Sequence, residues 1–483
     1  MKKLLSLMFV LSLFLLVGCT TTDPYEVSLT EVTEDTELGY VDGTDENSDE
    51  ALSETEENRM VFAPYWLPFI QVSEEMRSMM LEDFDYLVEI MLENAPTLGV
   101  FERRFGLTLE DALADIRETI YNLEPVDSFD SAGVHDIATR HLFRLLEWFG
   151  MRVERLGHFG PVDAISYREW LELTLAFLHQ SEIIDGRLIL DGEDFGDAES
   201  FQLRVDSRMT EATLRLYDVD LNHLDLYREL SRGFQVAGNV TTEILEENRI
   251  AYIRINSFLN NPTFDSDILF PFFDEVQEFE HLIIDLRGNS GGFPIYFEYY
   301  VVAMLINSPI EVRFNEFFTS GTIARQTAEL SLEGSITGAL ADEILLAHDF
   351  INEQTFPYFN ETDLNILTHM IPWHLKIEPR ENNIPFAGEI WLLVNERSTS
   401  ASELAAMISI YSGFATVVGV PTGRITPAMT IEFALPNTGI LFRVDTGYLI
   451  DDLGRSLEEF GVTPDIIIER GSNALNVVLD LID

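Results

Sequence analysis

The sequence predicts an α/β protein whose core lies in the C-terminal half and is preceded by a helical region. Three observations carry that expectation. From residue 249 onward, strand-like and helix-like segments alternate, which is the pattern of an α/β core. Two strand-like stretches, 282–286 (apolar but for Asp285) and the apolar run 390–394, each lead through a tight turn into a helix. Between residues 81 and 149, apolar side chains recur at helical spacing.

Taken in chain order, residues 1–19 read as an export signal. Lys2 and Lys3 give the charged start, and 4–17 is an apolar run too short for a comfortable membrane span. Leu16-Val17-Gly18-Cys19 resembles the cleavage box of a bacterial lipoprotein. That resemblance makes Cys19 the lipidated first residue of a mature protein anchored to a bacterial membrane, outside the cytoplasm; a plain secretory signal is the alternative. Cys19 is the single cysteine, so no intrachain disulfide and no Cys cluster for zinc can form. Residues 20–58 hold no Lys or Arg and many Asp, Glu, Ser and Thr. Such a stretch cannot bury a core and repels itself, so it reads as a disordered acidic tether.

Residues 59–157 read as a helical N-terminal domain. Leu81, Phe84, Leu87, Val88 and Met91 share one face; Leu113, Ile116 and Ile120 repeat the pattern, and 137–149 repeats it again. Residues 158–240 form an intermediate region, with a helix expected over 167–179 and a strand over 187–190. Residues 241–483 hold the α/β core. Within it, 249–256 alternates as a strand, and 317–385, rich in Phe, Tyr and Trp, reads as an irregular, partly helical insertion. Strands are expected at 415–419, 429–434, 440–444 and 466–468.

Asp plus Glu number 84 against 30 Lys plus Arg, a formal net charge of −54. This balance argues against nucleic-acid binding, which needs basic surface to displace counterions. It also argues against docking on anionic lipid through a basic patch.

The chemistry concentrates in two stretches. In one, Ile390 to Val394 runs through Asn395-Glu396-Arg397-Ser398-Thr399-Ser400 into a helix carrying Ala401, Leu404, Ala405 and Ile408. Ser400 stands at a helix start, beside backbone N–H groups that no helical carbonyl uses, where developing negative charge is favoured. A plain N-cap is the other reading of that serine, and Ser402 and Ser398 are the next candidates. In the second stretch, 282–286 runs into Arg287-Gly288-Asn289-Ser290-Gly291-Gly292. Paired glycines let backbone N–H groups approach a substrate closely. Neither a phosphate loop ending in Gly-Lys-Ser/Thr nor a dinucleotide GxGxxG follows a strand in this chain.

Together, Ile284-Asp285-Leu286-Arg287-Gly288-Asn289-Ser290-Gly291-Gly292, Thr399-Ser400-Ala401-Ser402-Glu403, Gly419-Val420-Pro421-Thr422-Gly423 and Glu458-Glu459-Phe460-Gly461-Val462-Thr463-Pro464-Asp465 resemble the C-terminal processing (tail-specific) serine peptidases, in the family's own order. The resemblance implies a ClpP/crotonase-like peptidase core of mixed sheet with flanking helices, acting on a peptide or protein substrate without metal or organic cofactor. Many members carry a PDZ module where this chain has residues 158–240; a degenerate module and a helical insertion are both open there.

One departure from the family decides the expected base. The better-known branch pairs its serine with a lysine that follows it, but lysine occurs here only at positions 2, 3 and 376. The family's Thr-x-Gly-Lys block reads Thr422-Gly423-Arg424-Ile425, and arginine stays protonated. Histidine is the remaining choice. The tricorn-like and retinoid-binding-protein-like branch places its histidine near Leu156-Gly157-His158-Phe159-Gly160, which nominates His158. The resemblance places the acid that holds it at Glu458, with Glu459 as neighbour. The oxyanion donors expected are the N–H of Ala401 and that of Gly291 or Gly292. A non-catalytic binder of the same fold is the competing function.

Overall fold

The computed structural model describes residues 62–483 except 127–133, 154–156, 163–166, 168–181, 185–186, 191–192, 198–210, 218–237, 260–261, 334–340, 342 and 354–355. The expected export signal with Cys19, the acidic tether and residues 168–179 of the expected helix lie outside the described residues. Among those described, no helix is long and apolar enough to cross a membrane.

The helical region opens with Glu74–Asn94. Ser73 Oγ accepts the Met76 N–H at 3.2 Å, satisfying one of the donors that a helix start leaves open. Met76, Met80, Phe84, Leu87 and Met91 make its buried stripe. Leu98–Phe105, Leu109–Tyr121 and Val134–Arg152 follow, and Gly106, at φ 72°, ends the first of these in the left-handed region. The stripes do not close on one another alone. They share one apolar core with Ile431 and Phe433 of the strand Thr430–Ala434 and with Phe442 and Val444 of Leu441–Asp445. Buried Asp83 pins the turn between those strands, accepting from Asn437 N and Thr438 N at 2.8 Å each and from Thr438 Oγ1 at 2.5 Å.

The central sheet has six strands in the order Ile466–Ile467, Thr416–Gly419, Glu389–Val394, His281–Asp285, Ile250–Ile255, Val240–Glu246. All pairs are parallel except the last, an antiparallel hairpin. Leu282, Ile283, Ile284, Leu392, Leu393 and Val394 are buried, as parallel strands covered on both faces require. The C-terminal helix Ala474–Ile482 covers one face over Ile250, Ile283, Trp391, Leu393 and Val418. Leu393 pairs with Asp285, so both strand–turn–helix units end side by side at one edge of the core.

A second, antiparallel sheet runs Tyr448–Ile450, Ile310–Phe318, His369–Ile377, Leu345–Leu346. The irregular, partly helical insertion expected at 317–385 does carry the helices Thr322–Glu333 and Ala347–Glu353, but it also holds the long strand His369–Ile377, paired along its length with Ile310–Phe318. Pro372 and a partner distant in the chain hide that strand from local patterning. A small antiparallel sheet joins Gly160–Pro161, Leu441–Asp445 and Thr430–Ala434. The strand expected at 187–190 is present in a separate meander, Glu182–Ile184, Arg187–Leu190 and Glu193–Asp197.

Candidate active site

The strand Glu389–Val394 delivers its chain into a turn that is stitched to the glycine-rich turn beside it. Ser398 Oγ donates to Leu286 O at 2.8 Å, Thr399 Oγ1 to Ser290 O at 2.9 Å, and Thr399 N to Asn289 O at 3.2 Å. Ser400 follows at φ 54° and ψ −122°, a backbone region that non-glycine residues rarely enter. Such strain costs about 1–3 kcal/mol and collects at functional sites. Ser400 does stand at the cap position of the helix Ala401–Ser412, but its side chain makes no capping bond. Its hydroxyl is turned elsewhere.

It faces His158. The loop after Val134–Arg152 carries Gly157-His158 into Gly160–Pro161, whose pairing with Arg443 and Phe442 welds it to the strand Leu441–Asp445. His158 Nε2 lies 3.2 Å from Ser400 Oγ, and its Nδ1 lies 3.0 Å from Asp445 Oδ1. The backbone N–H of His158 also donates to Asp445 Oδ2, at 2.7 Å. All three residues are buried. A carboxylate accepting Nδ1–H leaves the Nε2 lone pair directed at the serine hydroxyl. Burial pushes the Asp445 carboxyl up, and the neighbouring His158 opposes that rise. Gly157, at φ 101°, is required here, because a Cβ would stand 2.1 Å from Asp445 Oδ2.

The acid expected at the histidine is therefore corrected. Glu458 does not hold His158; Asp445 does. Glu458 Oε1 accepts from Thr426 Oγ1 and Leu449 N at 2.9 Å each, and its Oε2 accepts from Ser456 Oγ at 3.0 Å. Those donors fix it against the strand Tyr448–Ile450. Glu459 points outward to the Arg103 guanidinium, with Nη2 at 2.8 Å. Asp445 went unread in the sequence, although one signal was present: it is an acid closing the otherwise largely apolar strand Leu441–Asp445, just before Thr446-Gly447.

Arg424, in the block where the resemblance expects a lysine, donates from Nη1 to Glu459 O at 3.4 Å. Its backbone N–H donates to buried Glu403 at 3.0 Å, and Thr422 Oγ1 donates to the same carboxyl oxygen. Burial pushes both Glu403 and Glu458 up to about 8. From about pH 4.5, their ordinary value, to about pH 8 the folded chain thus binds more protons than the unfolded one. The stabilisation these groups give is complete below that window and lost as pH rises through it. The urea midpoint of Ser400→Ala protein, which does not digest itself, is expected to fall from about pH 5 to about pH 8. Glu458→Gln is expected to flatten that slope, and a midpoint that rises across the window contradicts the assignment.

The expected oxyanion donors divide. Gly291 N–H is already engaged, donating to Asn289 Oδ1 at 2.8 Å, so that member of the expected set is corrected. The N–H groups of Ala401 and Gly292 make no hydrogen bond to protein among the described residues. Gly291 lies directly over the serine turn: a Cβ on it would stand 2.8 Å from Ser400 Cβ and 2.9 Å from Ala401 N.

Residues 249–468 match the family described as Peptidase family S41. Comparison with curated proteins gives no match. Among solved structures, the chain is similar to mature CPAF complexed with lactacystin (13% identity, 82% of this chain and 94% of that chain covered, TM-score 0.44). It is also similar to the photosystem II D1 C-terminal processing protease (14%, 83% and 94%, TM-score 0.36). A lipoprotein from Streptococcus agalactiae is a third likeness (12%, 85% and 96%, TM-score 0.38).

Proposed function

We propose that this chain, a serine-type peptidase whose residues 249–468 match Peptidase family S41, cleaves peptides or proteins through an acyl-enzyme formed on Ser400, with His158 as base and Asp445 as the acid that orients it. The observation that carries this reading is the 3.2 Å separation of His158 Nε2 and Ser400 Oγ. Ser400 Oγ attacks the peptide carbonyl and passes its proton to His158 Nε2. The imidazolium then protonates the leaving amine. Asp445 keeps Nδ1 protonated and stabilises the cation that forms. Water, activated by the same imidazole, releases the acyl group.

The oxyanion is assigned to the N–H of Ala401 and of Gly292. Phe258 N donates to Gly291 O at 2.9 Å, and Phe293 N donates to Phe258 O at 3.1 Å. In an extended chain successive N–H groups alternate sides. The Gly292 N–H therefore faces away from Phe258, toward the side of the sheet that holds Ser400. Losing one such donor typically costs about 3 kcal/mol in the barrier.

The second half of the proposal is placement. The lipobox-like Leu16-Val17-Gly18-Cys19 supports a lipid anchor at Cys19, with the acidic 20–58 stretch holding an extracytoplasmic peptidase off a bacterial membrane. One experiment reads both halves. Membranes from cells making the full chain are treated with a fluorophosphonate, and the digested protein is analysed by mass spectrometry. The expected spectrum carries the phosphonyl adduct on Ser400 and an acylated N-terminal Cys19. An adduct on Ser398 or Ser402 relocates the nucleophile; no adduct at all favours a binder of the same fold; an unmodified cysteine removes the anchor.

A further inference from the structure

The carboxamide of Asn289 belongs to neither the nucleophile, nor the base, nor the substrate-facing N–H groups, yet it is fully buried between them. Each of its polar atoms is committed. Oδ1 accepts the Gly291 N–H at 2.8 Å, and Nδ2 donates to Ile255 O at 3.1 Å, the last residue of the neighbouring strand. Its backbone carbonyl accepts Thr399 N at 3.2 Å, and its backbone N–H donates to Leu286 O at 3.0 Å. One residue thus ties together three chain segments: the end of Ile250–Ile255, the glycine turn, and the turn that carries Ser400.

The bond to Gly291 has a chemical consequence. A turn with two successive glycines offers two N–H groups, and its backbone freedom lets either rotate toward the serine. Asn289 Oδ1 takes the first N–H out of competition. That bond holds the Ser290–Gly291 peptide plane, and the bond from Phe258 N to Gly291 O at 2.9 Å holds the next plane, which carries the Gly292 N–H. We propose that Asn289 is the positioning residue of the oxyanion site, its side-chain carbonyl selecting Gly292 rather than Gly291 as the donor that works with Ala401. This rests on the peptidase reading above. It differs from a merely structural role in what it predicts. The oxyanion exists only in the tetrahedral state, so a misplaced donor is felt by turnover and not by ground-state binding.

The test compares the full-length wild type with Asn289→Ala and Asn289→Ser, the latter keeping a weaker local acceptor for the Gly291 N–H. Three quantities are measured on each: kcat and KM for a peptide substrate, the affinity of a peptide boronate that mimics the tetrahedral state, and the affinity of the cleaved product peptide. Asn289→Ala is expected to lose about 10- to 100-fold in kcat with KM changed less than about threefold. Boronate affinity should fall in parallel while product affinity holds, and Asn289→Ser should recover part of both losses. If Asn289→Ala does not fold, Asn289→Ser carries the same comparison. Unchanged kcat in the folded variants overturns the inference, and so does a loss shared equally by product binding. Wild type that forms no boronate complex and no phosphonyl adduct at Ser400 overturns the peptidase reading itself, which distinguishes the two failures.

Discussion

Replacing Ser400 by alanine is expected to lower kcat for peptide cleavage by about 10⁶-fold, and replacing His158 by alanine is expected to do nearly the same. The two act as a unit. Without the hydroxyl there is no acyl-enzyme; without the imidazole 3.2 Å away the hydroxyl stays a weak nucleophile at neutral pH. The losses should not add, so the double variant should be little worse than either single one. A residue of catalysis should survive in all three, because the N–H groups of Ala401 and Gly292 remain in place. Neither substitution removes a core side chain, so thermal unfolding should stay close to wild type. Single-turnover kinetics on a fluorogenic peptide checks this. A His158→Ala protein that keeps activity within tenfold of wild type would sink the assignment of the base.

Asp445→Asn is expected to cost about 10⁴-fold in kcat, by the logic of other histidine-orienting acids. The asparagine oxygen can still accept the His158 backbone N–H that Asp445 Oδ2 now takes at 2.7 Å. Its NH₂ group would then face Nδ1 and donate to it. That locks the tautomer with the proton on Nε2, pointing at a hydroxyl that needs an acceptor. Geometry is preserved and chemistry is lost. Glu458→Gln is the discriminating control, since its carboxyl bonds Thr426, Leu449 and Ser456 and not the histidine. It should lower kcat by less than about tenfold while changing the pH dependence of stability. If Glu458→Gln were the variant with the large loss and Asp445→Asn were mild, the third member would return to Glu458.

The contrast between these two acids shows what the sequence made legible. The strands at 282–286 and 390–394 announce themselves because burial on both faces demands largely apolar runs, broken in the first only by Asp285, and the glycine and serine turns sit at their ends. The helical stripes are equally local. A shortage pointed to histidine as the residue type, with lysine only at 2, 3 and 376, but it was the resemblance to the tricorn-like branch that pointed to position 158 among nine histidines. The acid had no such shortage to mark it. Asp445 is one of 84 carboxylates, and what selects it is the pairing of Gly160 and Pro161 with Arg443 and Phe442. That register joins segments far apart in the chain and leaves no trace in either one. The strand His369–Ile377 was missed for the same reason, its partner Ile310–Phe318 lying across intervening helices that include Thr322–Glu333 and Ala347–Glu353.

The separation of 242 positions between His158 and Ser400 also sets when the activity can exist. During synthesis the imidazole emerges first, with no hydroxyl opposite it, and its loop has no edge to pair with until Leu441–Asp445 has been made. A ribosome must therefore finish almost the whole polypeptide before the machinery closes. On the proposed mechanism, the order of the gene leaves the nascent chain without a complete site until late in synthesis.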